Sequence, residues 1–544
     1  MKFLKHIRSK SLLKNKAEPS STDQLTSTVV GRNGYGQSLA AILPPAVLQN
    51  ILAFVCPHAQ DENLESCEDS MTEDGCMLCD MRDLAHCASV NHKWNTAAQD
   101  LLYHSVRMDA VHYCEKEIEL SEKRQKRRSF RSNQDVADAP QQRLKLFSRT
   151  VRENISLAVV VHFLKLPYMT RETCKADLAR TVSVLPNLEY VDLPEGFFSD
   201  DPSCHTLKQE LQARCPEIQK MKYNAGSEPS FSLLGQNRAW QALQTLELSQ
   251  LALNPGNLLM VLASLPILHE LKMSDFPAID DTIFQSTPML PSLPALQKLS
   301  LQSTPNLTVE GLSLYLSRPE TREVLSSLVL NSTGILPTKL HLILASATRL
   351  SHLSIVDEIT RPFPLEPVPS LASTSLHTLH YELTSSSAAQ GFQRSSDSYY
   401  SHLAQSLLSD SLPHLRELYV RDSNFPDTVL LAPPTPAFAR SSSNAGFRQK
   451  LNIYSKGLDE LEWNFTSVSP PAEPGARGSM SATRPVSAYQ ISKGLSPQWG
   501  GNARQSVVVG NGFGGFLAVP TEDSGWPSSP TTAERRGSRA DLWR

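Results

Sequence analysis

Apolar residues recur with the spacing L-x-x-L-x-L through the middle of this chain of 544 residues. Eleven copies lie between residues 157 and 465, and eight of the ten intervals between their first apolar residues are 25 to 30 residues long. Helical patterns separate the copies, which predicts repeats of a short strand followed by a helix. Such units stack because none can bury its apolar side alone. The first apolar residues are Val161, Leu188, Ile218, Leu243, Leu268, Leu296, Leu325, Leu350, Leu376, Leu415 and Leu458.

The stacked units predict an α/β fold, a right-handed solenoid with a parallel sheet on its concave side and helices outside. Side chains alternate between the two faces of a strand, so the leucines should point into the core and the residues between them outward. The outward residues are mostly polar, and we expect this concave face to bind a target protein. The expected target-binding residues are Lys220, Lys222, Glu247, Glu270, Lys272, Lys298, His352, His380, Glu417, Tyr419, Arg421 and Glu462.

The repeat resembles the leucine-rich-repeat family over residues 157–465. In that family an Asn or Cys that follows the last leucine by three residues bonds to neighbouring backbones. In this chain the position is held by residues such as Leu251, Phe276, Thr304 and Thr384. We therefore expect an irregular array in which Thr and Ser partly substitute as hydrogen-bond donors.

Three short amphipathic helices are predicted before the repeats. The first follows a Pro pair and carries apolar residues at Val47, Leu48 and Ile51, and residues 83–90 and 91–103 show two further helical patterns. An acidic segment, residues 57–80, separates the first helix from the second. It contains eight Asp or Glu and no Lys or Arg, a composition that predicts a solvated insertion because like charges repel.

The predicted helices share a set of ordered positions with a known module, namely Leu43-Pro44, Val47-Leu48, Ile51, Phe54, Asp83-Leu84, Cys87, Val90, Lys93, Trp94-Asn95, Ala98 and Leu101-Leu102-Tyr103. This set resembles the F-box, which docks a target-binding protein onto the adaptor subunit of an SCF-type cullin ubiquitin ligase. Ala46 stands where the family usually has an acid. The alternative is that the same apolar side chains form the core of the bundle. The resemblance implies adaptor contacts for Leu43, Pro44, Leu48, Ile51, Val90 and Trp94.

Together the two parts resemble the F-box proteins with leucine-rich repeats, the substrate receptors of SCF ligases. The resemblance implies three partners: the adaptor, through it the cullin, and a protein target. Such a receptor works by proximity, because it raises the effective concentration of the target near the ubiquitin-carrying enzyme. The alternative function is a leucine-rich-repeat scaffold without a ligase role, which Ala46 and the acidic segment favour.

The sequence divides into five regions. Residues 1–40 are polar, with a basic stretch at the N-terminus that is open to three interpretations: a frayed tail, a membrane-surface helix or an organellar presequence. Residues 41–110 form the F-box-like domain and 111–150 a polar connector, whose basic run from Lys123 to Arg128 fits either a nuclear-import or nucleic-acid patch or a solvated helix face. Residues 151–465 form the solenoid. Residues 466–544 are rich in Gly, Pro and Ser and are predicted to be disordered, like residues 1–40.

Overall composition excludes several classes of protein. With 40% hydrophobic residues, 20% charged residues and a net charge of −3, the chain gives no global reason to expect a nucleic-acid partner. No run of 18 apolar residues is present, so we expect no membrane span. The nine cysteines are odd in number and all lie within the first 215 residues, which favours a reducing compartment, the cytoplasm or the nucleus.

Sequence motifs for chemistry are sparse. Cys76 and Cys79 have zinc-ligand spacing, and Cys67, His86, Cys87 and His92 are close enough in sequence to complete a metal site. A single C-x-x-C is a weak signal. No G-x-S-x-G, H-E-x-x-H, P-loop or kinase motif is present. A catalytic Cys–His pair stays open at this point, because its members meet in space and not along the chain, but a leucine-rich solenoid offers an open sheet in place of a dry pocket. We therefore expect no cofactor, no metal and no enzymatic activity of its own.

Overall fold

A computed structural model describes residues 43–56, 59, 61–70, 78–108, 119, 123, 139–237, 239–285, 288–361, 363–385, 395–430, 449–457 and 460–469. The predictions for residues 1–40, for Arg124 to Arg128 and for the tail from residue 470 lie outside the described residues. In the described part, no helix is both long and apolar enough to cross a bilayer.

A small bundle of three helices begins the described chain: α1 (Pro45–Ala53), α2 (Leu78–Cys87) and α3 (His92–His104). Pro45 fits the first turn of α1, where its missing N–H is not needed. Asn91 caps α3, because its side chain accepts a hydrogen bond of 3.0 Å from the backbone N–H of Trp94. Helices α1 and α2 both pack against α3. Buried side chains that include Leu48, Leu52, Leu84, Ala97 and Ala98 form the core.

A small parallel sheet follows, made of β1 (Ser105–Arg107), β2 (Phe163–Lys165) and β3 (Tyr190–Val191). Between β1 and β2 lies α4 (Ala139–Glu153), which buries Leu144, Phe147 and Val151 in the large core. Their spacing of three and four residues places them on one helical face. The prediction of a polar connector up to residue 150 is therefore wrong from Ala139 onward, because α4 is amphipathic and its apolar face packs. The remaining helices of this region are α5 (Ile155–Ala158), α6 (Tyr168–Thr173) and α7 (Lys175–Val182).

The large sheet contains ten described strands in chain order, β4 to β13, so each strand lies beside the next along the chain. Strands β4 to β12 are parallel, and β13 is antiparallel to β12. The predicted α/β class and the mostly parallel sheet are thus confirmed. The strands are β4 (Lys220–Tyr223), β5 (Thr245–Ser249), β6 (Glu270–Ser274), β7 (Lys298–Thr304), β8 (Ser327–Thr333), β9 (His352–Ile359), β10 (Thr378–Ser385), β11 (Glu417–Val420), β12 (Leu451–Ser455) and β13 (Asn464–Val468).

Helices connect most of these strands, as a parallel sheet requires a crossover between neighbours. They are α10 (Glu228–Asn237), α11 (Pro255–Ala263), α12 (Val309–Ser317), α13 (Pro319–Val324), α14 (Leu340–Ser346), α15 (Ser395–Leu408) and α16 (Phe425–Leu430). Two further helices, α8 (Glu195–Phe198) and α9 (His205–Arg214), lie between β3 and β4. Short 3₁₀ turns lie at Pro202–Cys204, Asp281–Phe284 and Pro337–Lys339. The leucines of the strands and the apolar faces of the helices share one large core.

The predicted repeat positions from Val161 to Leu415 are all buried. The last copy was misplaced, since β12 begins at Leu451 and not near Leu458, which lies outside the described residues. Leu451 and Ile453 are the buried apolar residues of this strand. The predicted tail boundary at residue 466 is also wrong, because β13 extends to Val468.

The turns at the ends of the strands were expected to be joined by Thr and Ser side chains, but backbone hydrogen bonds join several of them. Gln250, Asp275, Ser303 and Ser332 have positive φ angles of 50° to 59° and occupy equivalent places at the ends of β5 to β8. The backbone N–H of Gln250 donates to the carbonyl of Ser274 at 3.0 Å, and that of Asp275 to Gln302 at 3.0 Å. Backbone geometry thus supplies bonds between neighbouring turns. Hydroxyl substitution is partial, since Thr384 Oγ1 donates to the carbonyl of Asp357 at 3.4 Å whereas the buried Thr304 Oγ1 has no partner among the described residues.

Candidate protein-binding surfaces

The register of the large sheet aligns polar residues of successive strands in rows on one face, which we call the polar face. Ten of the twelve residues predicted to bind a target lie on strands at these outward positions; Arg421 lies in the turn after β11, and Glu462 lies in the loop before β13. Placing Glu462 on a strand was wrong because the last repeat was assigned to Leu458. One row contains Lys222, Glu247, Lys272, Ser300, Val329, Ser354, His380, Tyr419, Tyr454 and Phe465.

The first half of the polar face is a ladder of lysines and glutamates that pair with one another. Glu247 Oε1 is 3.1 Å from Lys220 Nζ and 3.1 Å from Lys272 Nζ. Glu270 Oε1 is 3.2 Å from Lys272 Nζ, and Glu270 Oε2 is 3.6 Å from Lys298 Nζ. Burial alone would raise the pKa of Glu247, but the two lysines outweigh burial and hold the pKa below its ordinary value. These charges are therefore largely satisfied within the chain.

The second half of the polar face carries an aromatic row, which consists of His380, Tyr419, Tyr454 and Phe465. The rings of His380 and Tyr419 stack with centroids 3.8 Å apart, and those of Tyr419 and Tyr454 with centroids 4.4 Å apart. The ring of Phe465 is 5.3 Å from that of Tyr454. Cross-strand aromatic pairs stabilise a sheet and offer the large apolar contacts that dominate protein interfaces.

The loop before β13 packs onto this row through Trp463. Its indole meets the ring of Tyr419 edge to face at 5.4 Å, and Lys456 Nζ lies 4.0 Å from its ring centroid. Lys456 Nζ is also 3.3 Å from Glu382 Oε2. His380 and then Lys456 hold the pKa of Glu382 below its ordinary value. The lysine near the row is thus already engaged by a carboxylate and by an aromatic ring.

Histidine rings extend the row toward β9. The rings of His352 and His380 lie 5.7 Å apart, and burial, with a smaller contribution from His380, lowers the pKa of His352. Sequence reasoning found His352, His380 and Tyr419 but missed Tyr454 and Phe465. The missing signal was the alternation of apolar and polar residues in Leu451–Ser455, which has the same form as in the other strands.

The bundle carries an exposed apolar stripe along α1, which consists of Pro44, Val47, Ile51 and Phe54. The last three lie four and three residues apart and are 41%, 47% and 89% exposed, so they share one helical face. Val90, in the turn between α2 and α3, is 57% exposed. The stripe includes two of the predicted adaptor-binding residues, Pro44 and Ile51, together with Val47 and Phe54, which were not in that predicted set.

The other predicted adaptor contacts belong wholly or partly to the bundle core. Leu48 is fully buried there, so its predicted contact with an adaptor is wrong: its side chain fills the space between the helices. Leu43 and Trp94 are half-buried and pack against the same core. The alternative, that these residues form the core of the bundle, thus holds for Leu48 and in part for Leu43 and Trp94.

The acidic segment is described at residue 59, at residues 61–70 and at residues 78–80, which belong to α2. The prediction of a solvated insertion is wrong in part, because residues 61–70 are bonded to the fold although Glu62, Glu65 and Asp69 are exposed. Asp61 Oδ2 lies 2.8 Å from the fully buried Lys165 Nζ on β2, and 3.8 Å from Arg107 Nη1 on β1. Arg107 also donates to the carbonyls of Cys67 and Ser70, each at 2.7 Å. The repulsion expected from local composition is overcome because the basic partners lie elsewhere in the chain.

A second set of bonds fixes the same segment beside β3. The carboxylate of Asp192 accepts hydrogen bonds from the backbone N–H of Cys67 at 3.0 Å and from the hydroxyl of Tyr190 at 2.9 Å. Burial raises the pKa of Asp192, although these bonds oppose the effect. Glu68 pairs with Arg171 at 2.9 Å. The acidic segment therefore connects the bundle to the small sheet through buried polar contacts.

The weak metal alternative at Cys76 and Cys79 cannot be placed on the fold, because Cys76 lies outside the described residues and Cys79 is described only as part of α2. Among the residues that are described, no three His, Cys, Asp or Glu side chains lie close enough together to hold a metal ion.

No known family model matches this chain, and no curated protein matches it with significant similarity. The polar face, the apolar stripe and the acidic segment are therefore the features of this chain that bear on its function.

Proposed function

We propose that this chain is the target-binding subunit of an SCF-type cullin ubiquitin ligase. The bundle acts as an F-box that docks the adaptor, and the strand–helix units act as a leucine-rich-repeat solenoid that binds the target on its polar face. The chain contributes proximity and no covalent chemistry. The observation that carries the proposal is the apolar stripe on α1, combined with a long polar face on the same chain.

The apolar stripe supports adaptor docking because exposed apolar residues in a contiguous row are typical of an interaction site. Phe54, at 89% exposure, leaves most of a large aromatic side chain in water, and its burial by a partner would stabilise a complex by about 1.5 to 3 kcal/mol. Ile51 and Val90, which belong to the positions shared with the F-box, are exposed as well. Each of these side chains is free to contact another protein without disturbing the bundle core.

The contacts of the acidic segment support the second requirement of a receptor, a defined distance between the docked adaptor and the bound target. Asp61, Cys67 and Glu68 hold the segment against β1, β2 and the region of β3 by ion pairs and backbone hydrogen bonds. Proximity enhances a reaction only when the reacting groups are held in a productive arrangement. A connection with buried polar contacts meets that need better than a free linker.

Co-purification of the full chain with the adaptor and cullin subunits tests the proposal. The double variant Ile51→Ser, Phe54→Ser changes only exposed residues of the stripe, so it should fold with an unchanged melting temperature and lose both subunits. The matched control Met260→Ser, Leu342→Ser changes two exposed apolar residues on α11 and α14 and should keep them. Retention of the adaptor by the folded stripe variant, or no adaptor with the wild-type chain, would reject the proposal.

A leucine-rich-repeat scaffold without a ligase role is the second candidate. The burial of Leu48 favours it, because one residue that the F-box resemblance assigns to the adaptor is not accessible. The two functions differ in the fate of the target. A scaffold binds its target without changing the target's lifetime, whereas a receptor shortens it only when cullin is active.

A further inference from the structure

Strand β13 ends the large sheet, and no other described strand pairs with its second edge. An open edge presents unpaired backbone N–H and C=O groups, to which an extended chain can add as a further strand. Strand β13 contains no Pro and no charged residue that would block such pairing. Four of its five residues are exposed or half-buried.

The hydrogen bonds of β12 determine which residues of β13 face this open edge. The N–H groups of Asn452 and Lys456 donate to carbonyls on the β11 side, of Arg416 and Val420. Bonding direction alternates along a strand, so Leu451, Ile453 and Ser455 direct their backbone groups toward β13. Their partners there are Val468, Thr466 and Asn464. The backbone N–H and C=O of Phe465 and Ser467 therefore point to the open edge.

The side chains at this edge indicate what kind of strand would fit. Phe465 ends the aromatic row and is 59% exposed. Its ring packs against Tyr454 on the β12 side, so its other side could contact a side chain of an added strand. Residues 460–469 contain two acids, Glu460 and Glu462, and no base. The carboxylate of Glu460 accepts hydrogen bonds from the N–H of Gly457 at 2.7 Å and from Asn464 Nδ2 at 3.2 Å, and neither donor carries a charge. The nearby Lys456 is engaged by Glu382 and Trp463. An arginine suits both features, because its guanidinium stacks on aromatic rings and pairs with carboxylates.

We propose that β13 is the docking edge for an extended, arginine-bearing segment of the target protein, which adds to the large sheet through the backbone of Phe465 and Ser467 and places an arginine against the ring of Phe465. This inference rests on the proposed function only in naming the bound protein as the ligase target. The strand-addition site itself requires no adaptor.

Binding of short synthetic peptides to the full chain tests the site. The probe alternates Arg with Val and Thr; one comparison peptide has Glu in place of Arg, and a second is N-methylated at alternate residues so that it cannot donate backbone hydrogen bonds. The probe should bind at least about tenfold more tightly than either comparison peptide, a difference of about 1.4 kcal/mol. Equal binding of all three, or no binding of the probe, would overturn the proposal.

Variants of the chain identify the edge. Ser467→Pro removes an outward N–H and leaves the backbone bonds between β12 and β13 in place. It also removes the Ser467 hydroxyl, which donates to Asn452 Oδ1 on β12 at 3.3 Å; Ser467→Ala loses the same hydroxyl but keeps the N–H. We expect Ser467→Pro and Phe465→Ala each to weaken probe binding about tenfold or more, and Ser467→Ala to leave it unchanged. Melting temperatures establish that the variants fold. If Ser467→Pro fails to fold, the comparison of Phe465→Ala with wild type decides, and unchanged affinity there overturns the proposal.

A second copy of the chain is the competing occupant of this edge. If the wild-type chain dimerises, the Ser467→Pro variant does not, and the probe does not bind, then a second copy occupies the edge and the proposed target segment is rejected. The adaptor assay is independent of these measurements. Probe binding without adaptor co-purification would reject the ligase role alone, whereas adaptor co-purification without probe binding would reject the docking edge alone.

Discussion

Lys165 and Asp61, separated by 104 residues in sequence, form a 2.8 Å ion pair in which the lysine side chain is fully buried. The pair connects the acidic segment to the middle strand of the small sheet. Removing one member of a buried pair is costly because the remaining charge loses its partner but stays out of water. The pair therefore fixes a segment whose own composition favours solvation.

We expect Asp61→Ala to destabilise the chain by about 3 to 5 kcal/mol, because it leaves Lys165 as an uncompensated buried charge. The double variant Asp61→Leu, Lys165→Met removes both charges of this pair but leaves Arg107, which also faces Asp61, without that carboxylate, so it should recover part of this loss. Urea denaturation followed by circular dichroism measures both effects. A double variant as unstable as Asp61→Ala would show that the charges are not the cause.

The lysine–glutamate ladder predicts that the stability of the chain depends on pH through the carboxylate of Glu247. Its pKa lies below its ordinary value near 4.5, so its contribution to stability is present above that value and is lost as the pH falls through the lower folded pKa. Glu247→Gln should cost about 1 kcal/mol at pH 7, because two lysines lose their shared carboxylate. The difference from wild type should be smaller at pH 3 than at pH 7, because the stabilisation is lost as the pH falls toward and through the lowered folded pKa.

Urea midpoints at the two pH values test this prediction. Glu217→Gln, a change at an exposed glutamate outside the ladder, serves as the control and should match wild type at both. A cost for Glu247→Gln that is the same at low and neutral pH would exclude an ionic origin.

Local patterns in the sequence were sufficient for most of the fold. Buried leucines such as Leu271 and Leu299 alternate with polar residues, and this alternation identifies a strand from within a few residues. The same reasoning predicted three helices in the bundle, although the second spans Leu78–Cys87 and not residues 83–90, so it begins inside the predicted acidic segment. It failed at β12, where a count from Leu415 to Leu458 passed over the alternating residues that begin at Leu451.

Contacts between distant residues account for the remaining errors. Asp61 is acidic among acids in the sequence, and only the fold brings it to Lys165 and Arg107. The aromatic row likewise exists only because the register aligns Tyr419 with Tyr454. The repeat predicted that successive strands are neighbours, but β12 and β13 were not assigned as strands, so this end of the row became visible only with the register.

Glycine is expected to affect stability differently at Ser303 and Ser300, two residues of β7, because only Ser303 has a left-handed backbone conformation. Ser303 has a φ of 51°, a conformation that costs a residue with a Cβ about 1 to 2 kcal/mol. Ser303→Gly should therefore be neutral or stabilising, and Ser303→Val should destabilise because a β-branched residue fits this region poorly. Ser300→Gly, on the same strand without a positive φ, should cost about 0.5 to 1 kcal/mol. Melting temperatures rank the three variants, and a larger loss for Ser303→Gly than for Ser300→Gly would contradict the argument.

Thr304 offers a way to stabilise the chain. Its side chain is fully buried and its hydroxyl has no hydrogen-bond partner among the described residues, so the folded state bears the cost of removing a polar group from water. Thr304→Val keeps the shape and removes that cost, and we expect a gain of about 1 kcal/mol in the free energy of unfolding. Thr384→Val is the matched comparison, because Thr384 Oγ1 donates to the carbonyl of Asp357. This change should destabilise by about 0.5 to 1.5 kcal/mol. Urea denaturation of the two variants measures both signs, and a loss of stability in Thr304→Val would mean that its hydroxyl has a partner in solution, such as a buried water molecule.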